Sequence, residues 1–429
     1  MNKILLIWKT KDLRNKILIV LGLLLVTRVL THIPIPGIDP TGLKAFFQQS
    51  QFLNLLDVFS GGGLTNFSIA MLGVGPYITA SIIMQLLTII VPSFAEMQKE
   101  GGEAGRAQLN QYTRYLTIPL APLQAFGTIR LLSSQGAGSI LGTFSPFQWF
   151  LVLLSVTAGT MLIMWIGEIM SEFDIGNGIS LVIFAGIVSR VPSAISQAYQ
   201  IYQGNPDAVP TIVGFVLVFL AVIAGVVLVT EAQRNIPVAY AKRVRGNRLF
   251  GGVNTHLPLR LNQAGVIPII FAISIMLFPA MIAQFFVNAK SALIANYAQK
   301  TIALFNDTGT WFYGIVYFLM ILGFTYFYTA VVFNPQEIAE NVQKNGGFIP
   351  GLRPGGQTAD YLSTVLNRIT LAGALFLAII AILPLVAQNL TGTRALTFGG
   401  TSLLIVVSVV IEVIKKIEAQ LTMHDYEGF

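Results

Sequence analysis

Ten apolar runs organise this sequence, at roughly 17–32, 69–91, 116–132, 148–168, 179–199, 210–230, 264–287, 311–333, 369–388 and 398–414. A helix that crosses a bilayer core of about 30 Å needs about 20 mostly apolar residues, so each run suits one crossing. The chain of 429 residues is 54% hydrophobic and only 10% charged, a balance that excludes an ordinary soluble domain. The expected class is therefore an all-α polytopic membrane protein with ten transmembrane helices. The start, MNKILLIWKTKDLRNK, offers no small-residue cleavage site and the first run follows Lys16. A retained first helix is expected rather than a removable signal peptide. The absence of cysteine excludes a disulfide framework and cysteine-ligated zinc.

Charge sets the orientation. With the N-terminus inside, every Lys and Arg except Arg28, Lys44, Arg130, Arg190, Lys290, Lys300 and Arg394 falls on the cytoplasmic side. Opposite placement inverts that bias, so both termini are expected in the cytoplasm. Two long cytoplasmic loops stand out: 231–263 holds Arg234, Lys242, Arg243, Arg245, Arg248 and Arg260, and 334–368 holds Lys344, Arg353 and Arg368. Topogenic charge is one explanation. A stretch such as AKRVRGNR extends beyond what orientation needs, and projecting cationic loops suit an acidic partner: protein, ribosomal RNA or anionic lipid.

Two pairs of phrases recur. GVGPYI (Gly73 to Ile78) opens the second run and GVIPII (Gly265 to Ile270) the seventh; GISLVI (Gly178 to Ile183) opens the fifth and GTSLLI (Gly400 to Ile405) the tenth. Each pair takes the same ordinal place in a five-helix half, 1–204 or 205–429. Because five is odd, the second half crosses in the opposite sense, giving two inverted halves with functional sites between them. At 1.5 Å per residue the isoleucines lie on the order of 7 to 15 Å deep, entering from both sides. Ile78, Ile183, Ile270 and Ile405 thus approach the midplane, with Val74 and Ile179 one turn away on the same faces. Any one of them taken alone reads more readily as an ordinary packing or lipid-facing residue. Pro76 and Pro268 stand either as hinges or as prolines of a first helical turn, where the missing N–H costs little.

Before the second run lies FSGGGLTNFSIAML, residues 59–72, too short to cross. One reading is a surface amphipathic helix. The other is a movable re-entrant segment that folds into a cavity, with Gly61, Gly62 and Gly63 supplying conformational freedom. No catalytic or metal constellation accompanies it: His32, His256 and His424 are far apart, and there is neither HExxH nor a phosphate loop. The second, seventh and eighth runs hold no charge, whereas ion-coupled transporters and intramembrane proteases keep ionisable groups at depth. Arg28, Arg130 and Arg190 approach the outer boundary and are expected to snorkel.

Several longer phrases carry a resemblance: IPIPGID, FSGG, PYITASIIMQLL, EGGEAGRAQLNQYTRY, IGNGIS, NTHLPLRLNQAGVIP, FNPQEIAENVQKNGGFIPGLRPG and FGGTSLLIVV. The chain resembles, along essentially its whole length, the SecY family of channel subunits in the bacterial protein translocon. The resemblance implies a pore between two pseudosymmetric halves, conducting unfolded polypeptides across the plasma membrane and releasing membrane segments sideways into lipid. It implies no enzymatic activity, cofactor or metal. By resemblance the pore ring is Val74, Ile78, Ile179, Ile183, Ile270 and Ile405, and the 59–72 piece is a plug that includes Gly61, Gly62, Gly63, Leu64, Phe67 and Ile69. A lateral gate falls between the second and third spans and the seventh and eighth, with Thr79, Gln85 and Phe278 at gate positions. Implied partners are SecE, SecG, the SecA motor ATPase, the ribosome, signal sequences and membrane lipid, and not DNA. Lys242, Arg243, Arg245, Arg248 and Arg353 are the implied SecA and ribosome contacts. Gln336 departs from the arginine that many relatives carry after FNP. A secondary transporter with inverted repeats is the alternative reading, and it needs a polar midplane site.

Overall fold

The computed structural model describes residues 8, 10–35, 57, 60–99, 101–133, 144–204, 209–240, 243–245, 248–250, 255–287, 289–307, 310–391 and 400–427. Its helices, in chain order, are α1 Lys11–Leu30, α2 Gly75–Ile90, α3 Pro92–Lys99, α4 Gly102–Leu132, α5 Pro146–Glu172, α6 Gly178–Val188 and α7 Val191–Gly204. There follow α8 Val209–Glu231, α9 Ile267–Phe286, α10 Ala292–Asn306, α11 Trp311–Val332, α12 Pro335–Lys344, α13 Gly356–Thr391 and α14 Gly400–Glu427. Each apolar run overlaps a helix, the second starting in the turns before α2 and the fifth divided between α6 and α7. Among the described residues six helical stretches are long and apolar enough to cross a membrane, or seven when α2 and α3 count as one bent span. The remaining runs lie on α1, α4 and α14, whose end turns carry charge.

Local chemistry sets several boundaries. Ser145 opens α5 with a capping box: its hydroxyl accepts from Gln148 N–H at 3.3 Å while the Gln148 side chain accepts from Ser145 N–H at 2.8 Å. Asn177 caps α6 by accepting from Ser180 N–H at 3.2 Å. Pro92 holds Val91 extended (φ −103°, ψ 112°), and the chain bends by 105° between α2 and α3.

Lipid offers no hydrophobic drive between helices, so close approach through small residues matters. A Cβ at Gly178 would collide with the Gly167 carbonyl, joining α6 to α5, and one at Gly159 would collide with the carbonyl of Ile69. One large apolar cluster draws on α1, α2, α5, α6, α8, α9, α11, α13 and α14, so it joins helices from both halves of the chain. A second cluster packs Leu64, Phe67 and Met71 against α4 and α5.

The two long loops are not plain coil. Strands β1 Gln233–Tyr240, β4 Thr255–Arg260 and β5 Gly347–Phe348 form a sheet in the order β4-β1-β5, and β2 Arg243–Arg245 pairs with β3 Arg248–Phe250. β1 and β4 run antiparallel from Gln233↔Arg260 to Val238↔Thr255, while β5 meets β1 at Ala239 and Tyr240. Ile236 and Leu259 pack there with Ala339, Ile349 and Leu362, which ties both loops to α12 and the start of α13.

Candidate functional site

The repeated phrase adopts a repeated backbone. Gly73 and Gly265 have φ of +54° and +63°, a region open to glycine at little cost. Val74 and Val266 then cap their helices at φ −92°, ψ 3° and φ −95°, ψ −7°, with Pro76 and Pro268 in the first turn. The first-turn reading of these prolines is therefore the right one, since neither interrupts a helical hydrogen bond. Hinge-capable prolines lie deeper instead, such as Pro279 inside α9.

These helix starts bury their isoleucines in the same extended apolar cluster. Val74, Ile78, Ile183, Ile270 and Ile405 all belong to the large cluster, each no more than 7% exposed, and Ile179 packs against it. The Ile179 side chain lies over Gly167 of α5, where a Cβ would sit 2.6 Å from its Cδ1.

Residues 60–74 form a succession of tight turns, with positive φ at Gly61, Gly62 and Phe67. This segment is buried and not a surface helix: Leu64, Phe67, Ala70 and Met71 are almost wholly enclosed, and Ile69 is half-buried between the two clusters. A two-bond bridge ties it to the end of α1, with Ile35 N–H donating to Phe67 O and Ile69 N–H to Ile33 O, both at 3.0 Å. A Cβ on Gly63 would collide with the Ala70 carbonyl, so the third glycine permits the doubling back of the chain.

The snorkelling expected of Arg28 and Arg190 is not what they do. Arg28 donates to the Gly61 carbonyl, and Arg190 pairs with Asp57, whose side chain is 2% exposed. A buried carboxylate requires such a partner, and the demand outweighs solvation of the guanidinium. Arg130 instead lies 5.3 Å from the ring centres of both Phe126 and Trp149.

Thr79 and Phe278 line a common cavity between α2, α4 and α9, together with Ser60, Leu64, Gln124, Thr128 and Ser274. Gln124 Nε2 donates to Thr79 Oγ1 at 3.0 Å, joining α4 to α2. Gln85 does not line this cavity; six positions beyond Thr79, it faces elsewhere on α2 and donates to Ser81 Oγ at 3.4 Å. Where α4 meets α9 towards its end, Phe126 and Phe285 stack at 5.4 Å and Gln284 donates to the Arg130 carbonyl at 3.2 Å.

Of the basic candidates, Arg353 is exposed between β5 and α13. Arg243, Arg245 and Arg248 occupy the β2–β3 hairpin, with Arg245 opposite Arg248. Lys242 lies outside the described residues.

The SecY family model matches residues 68–414. The protein translocase subunit SecY of Streptomyces scabiei is 44% identical over 435 residues, 98% of each chain. The chain belongs to the SecY family. A solved SecY protein, whose plug domain stabilises the closed state of the translocation channel and maintains a membrane seal, superposes with a TM-score of 0.62. It is 20% identical and covers 92% of this chain and 90% of its own. Sec61 in the canine ribosome-channel complex from the endoplasmic reticulum matches with a TM-score of 0.61 at 19% identity, over 93% of this chain and 90% of that one. The SecY-type fold is thereby shared across remote sequences.

Within this SecY-family fold, the sequence reading missed Gln124, Thr128 and Ser274 beside Thr79, and Asp57 beside Arg190. A lone glutamine inside the apolar third run was the available signal for the first group. Nothing along the sequence links Asp57 to Arg190.

Proposed function

We propose that this multi-pass membrane protein is the polypeptide-conducting subunit of a bacterial protein translocase. Unfolded chains pass through its centre, and apolar segments leave sideways into lipid. The observation that carries this reading is the burial of Val74, Ile78, Ile183, Ile270 and Ile405, from four helices of both chain halves, within one continuous apolar cluster. Branched apolar side chains suit a seal for polypeptide because they exclude ions by dewetting and offer a passing chain no specific partner. A secondary transporter needs polar groups at the interface of its halves, and these five residues are hydrocarbon.

On this reading Val74, Ile78, Ile179, Ile183, Ile270 and Ile405 form the pore ring of two inverted halves, 1–204 and 205–429. The turns around Gly61, Gly62, Gly63, Leu64, Phe67 and Ile69 plug it, and Thr79, Gln85 and Phe278 belong to the lateral gate. The membrane is the plasma membrane, with both termini in the cytoplasm. SecE clamps the halves, SecG accompanies them, and SecA or the ribosome supplies drive. The sheet supports a joint docking surface, since β1 and β5 bind the loop with Arg243, Arg245 and Arg248 to the loop with Arg353. The exposed apolar face of α8, with Leu217, Leu220 and Leu228, suits lipid.

The test is reconstitution. Proteoliposomes holding the native membrane complex, supplied with SecA and ATP, are expected to protect an unfolded secretory precursor from external protease. Saturable uptake of one small solute without precursor protection would overturn the channel reading in favour of the transporter.

A further inference from the structure

Asp57 is the most enclosed acidic side chain near the plug segment, and every contact it makes points to holding that segment still. Its Oδ1 accepts from Thr65 N–H at 2.8 Å and from Ser60 Oγ at 3.1 Å; its Oδ2 accepts from Thr65 Oγ1 and pairs with Arg190. Its carbonyl accepts from Gly62 N–H at 2.9 Å. One carboxylate thus closes the first turn of the plug. The turn is gripped from two directions, by Arg190 just beyond α6 and by Arg28 in the last turn of α1, which donates to the Gly61 carbonyl. Gly61 also lies against Gly186 of α6, where a Cβ would come 3.4 Å from the Gly186 Cα.

Arg190 stands seven residues after Ile183. That is two helical turns, about 10 Å along the same face. Its N–H still bonds the Ile187 carbonyl at 3.1 Å, so it moves with α6. A ring residue and the arginine that holds the plug therefore sit on one helix and the turn that ends it.

We propose that Asp57, Arg190 and Arg28 form a latch that keeps the plug seated, and that movement of α6, when a polypeptide widens the ring, pulls Arg190 from Asp57 and frees the plug. The inference rests on the plug and ring reading above. Asp57 is 2% and Arg190 23% exposed, so salt screens the pair weakly, and release requires mechanical separation.

The experiment measures resting ion conductance of the native complex in planar bilayers. Arg190→Gln and Asp57→Asn are each expected to raise it by on the order of tenfold or more, because removing one member of a buried pair strands the other. Arg190→Lys keeps the charge and should stay close to the parent. Deletion of residues 60–70 should also leak, and adding Arg190→Gln to that deletion should change nothing further. Leu64→Cys, in a chain that lacks cysteine, reports plug position directly: an impermeant maleimide added outside should label it faster in Arg190→Gln. A leaky deletion with tight Arg190→Gln and Asp57→Asn channels overturns the latch and leaves the plug standing. A deletion that stays tight overturns the plug reading and the latch with it. A full Arg190→Gln effect on top of the deletion overturns the latch too, because the arginine would then act on the ring or the fold.

Discussion

Gly73 and Gly265 hold the same left-handed backbone conformation, φ +54° and +63°, each one residue ahead of a valine that caps a helix. A side chain in this region crowds the following carbonyl and costs about 1–2 kcal/mol. At Gly265 a Cβ meets nothing within 4 Å, so the expected cost is backbone strain alone. Gly265→Ala should lower the thermal midpoint of the detergent-extracted protein, and Gly265→Asn should lower it less, because asparagine tolerates this conformation. Equal stability of the alanine variant and the parent would contradict the assigned turn.

A linker between Thr79 and Phe278 should lock the lateral gate. Both line one cavity on facing helices, and the chain's lack of cysteine makes a Thr79→Cys, Phe278→Cys pair clean to interpret. Bridging the two thiols with a short bis-maleimide is expected to abolish release of signal-bearing segments into lipid, with either single cysteine unaffected. Undiminished translocation after verified bridging would remove the gate assignment.

The Gln124 side chain should matter at the same place. Gln124→Leu removes the 3.0 Å bond to Thr79 and leaves the buried Thr79 hydroxyl oxygen without its donor. The expected cost to the closed gate is about 1–3 kcal/mol. In a translocation assay this reads as export of precursors with weakened signal sequences. Strict dependence on an intact signal would count against it.

Replacing Ile78, Ile183, Ile270 and Ile405 with glycine, in a channel already lacking residues 60–70, should raise resting conductance above that of the deletion alone. The side chains that exclude water would then be gone. A folded variant no leakier than its deletion parent would refute the ring.

Reversal of charge at Arg243, Arg245, Arg248 and Arg353 should weaken binding of SecA and of the ribosome to the reconstituted channel. The loss should be largest at low salt and shrink as ionic strength rises, since salt screens attraction between charges on the order of 10 Å apart or more at 0.1 M. Unchanged affinity for both partners would remove the docking assignment.

Hydropathy, charge bias and repeated phrases are properties of neighbours along the chain, so the sequence by itself determined the apolar runs that became helices, the expected orientation, and the paired Gly-Val-x-Pro-x-Ile starts. The strands escaped that reading because β1 contains Pro237 and β4 contains Pro258, residues that argue against a central strand. Tertiary structure accommodates them: β5 pairs only with Ala239 and Tyr240, so Pro237 needs no N–H on that side. The meeting of Gln124 with Thr79 and of Arg190 with Asp57 was likewise decided only in three dimensions. Arg190 and Asp57 are 133 positions apart, and whether a charged side chain near a helix end reaches water or turns inward depends on what packing buries beside it. Here packing encloses a carboxylate whose charge is balanced by an arginine distant in sequence, beside hydrogen bonds from Ser60 and Thr65, and that distant partner appears nowhere in the local sequence.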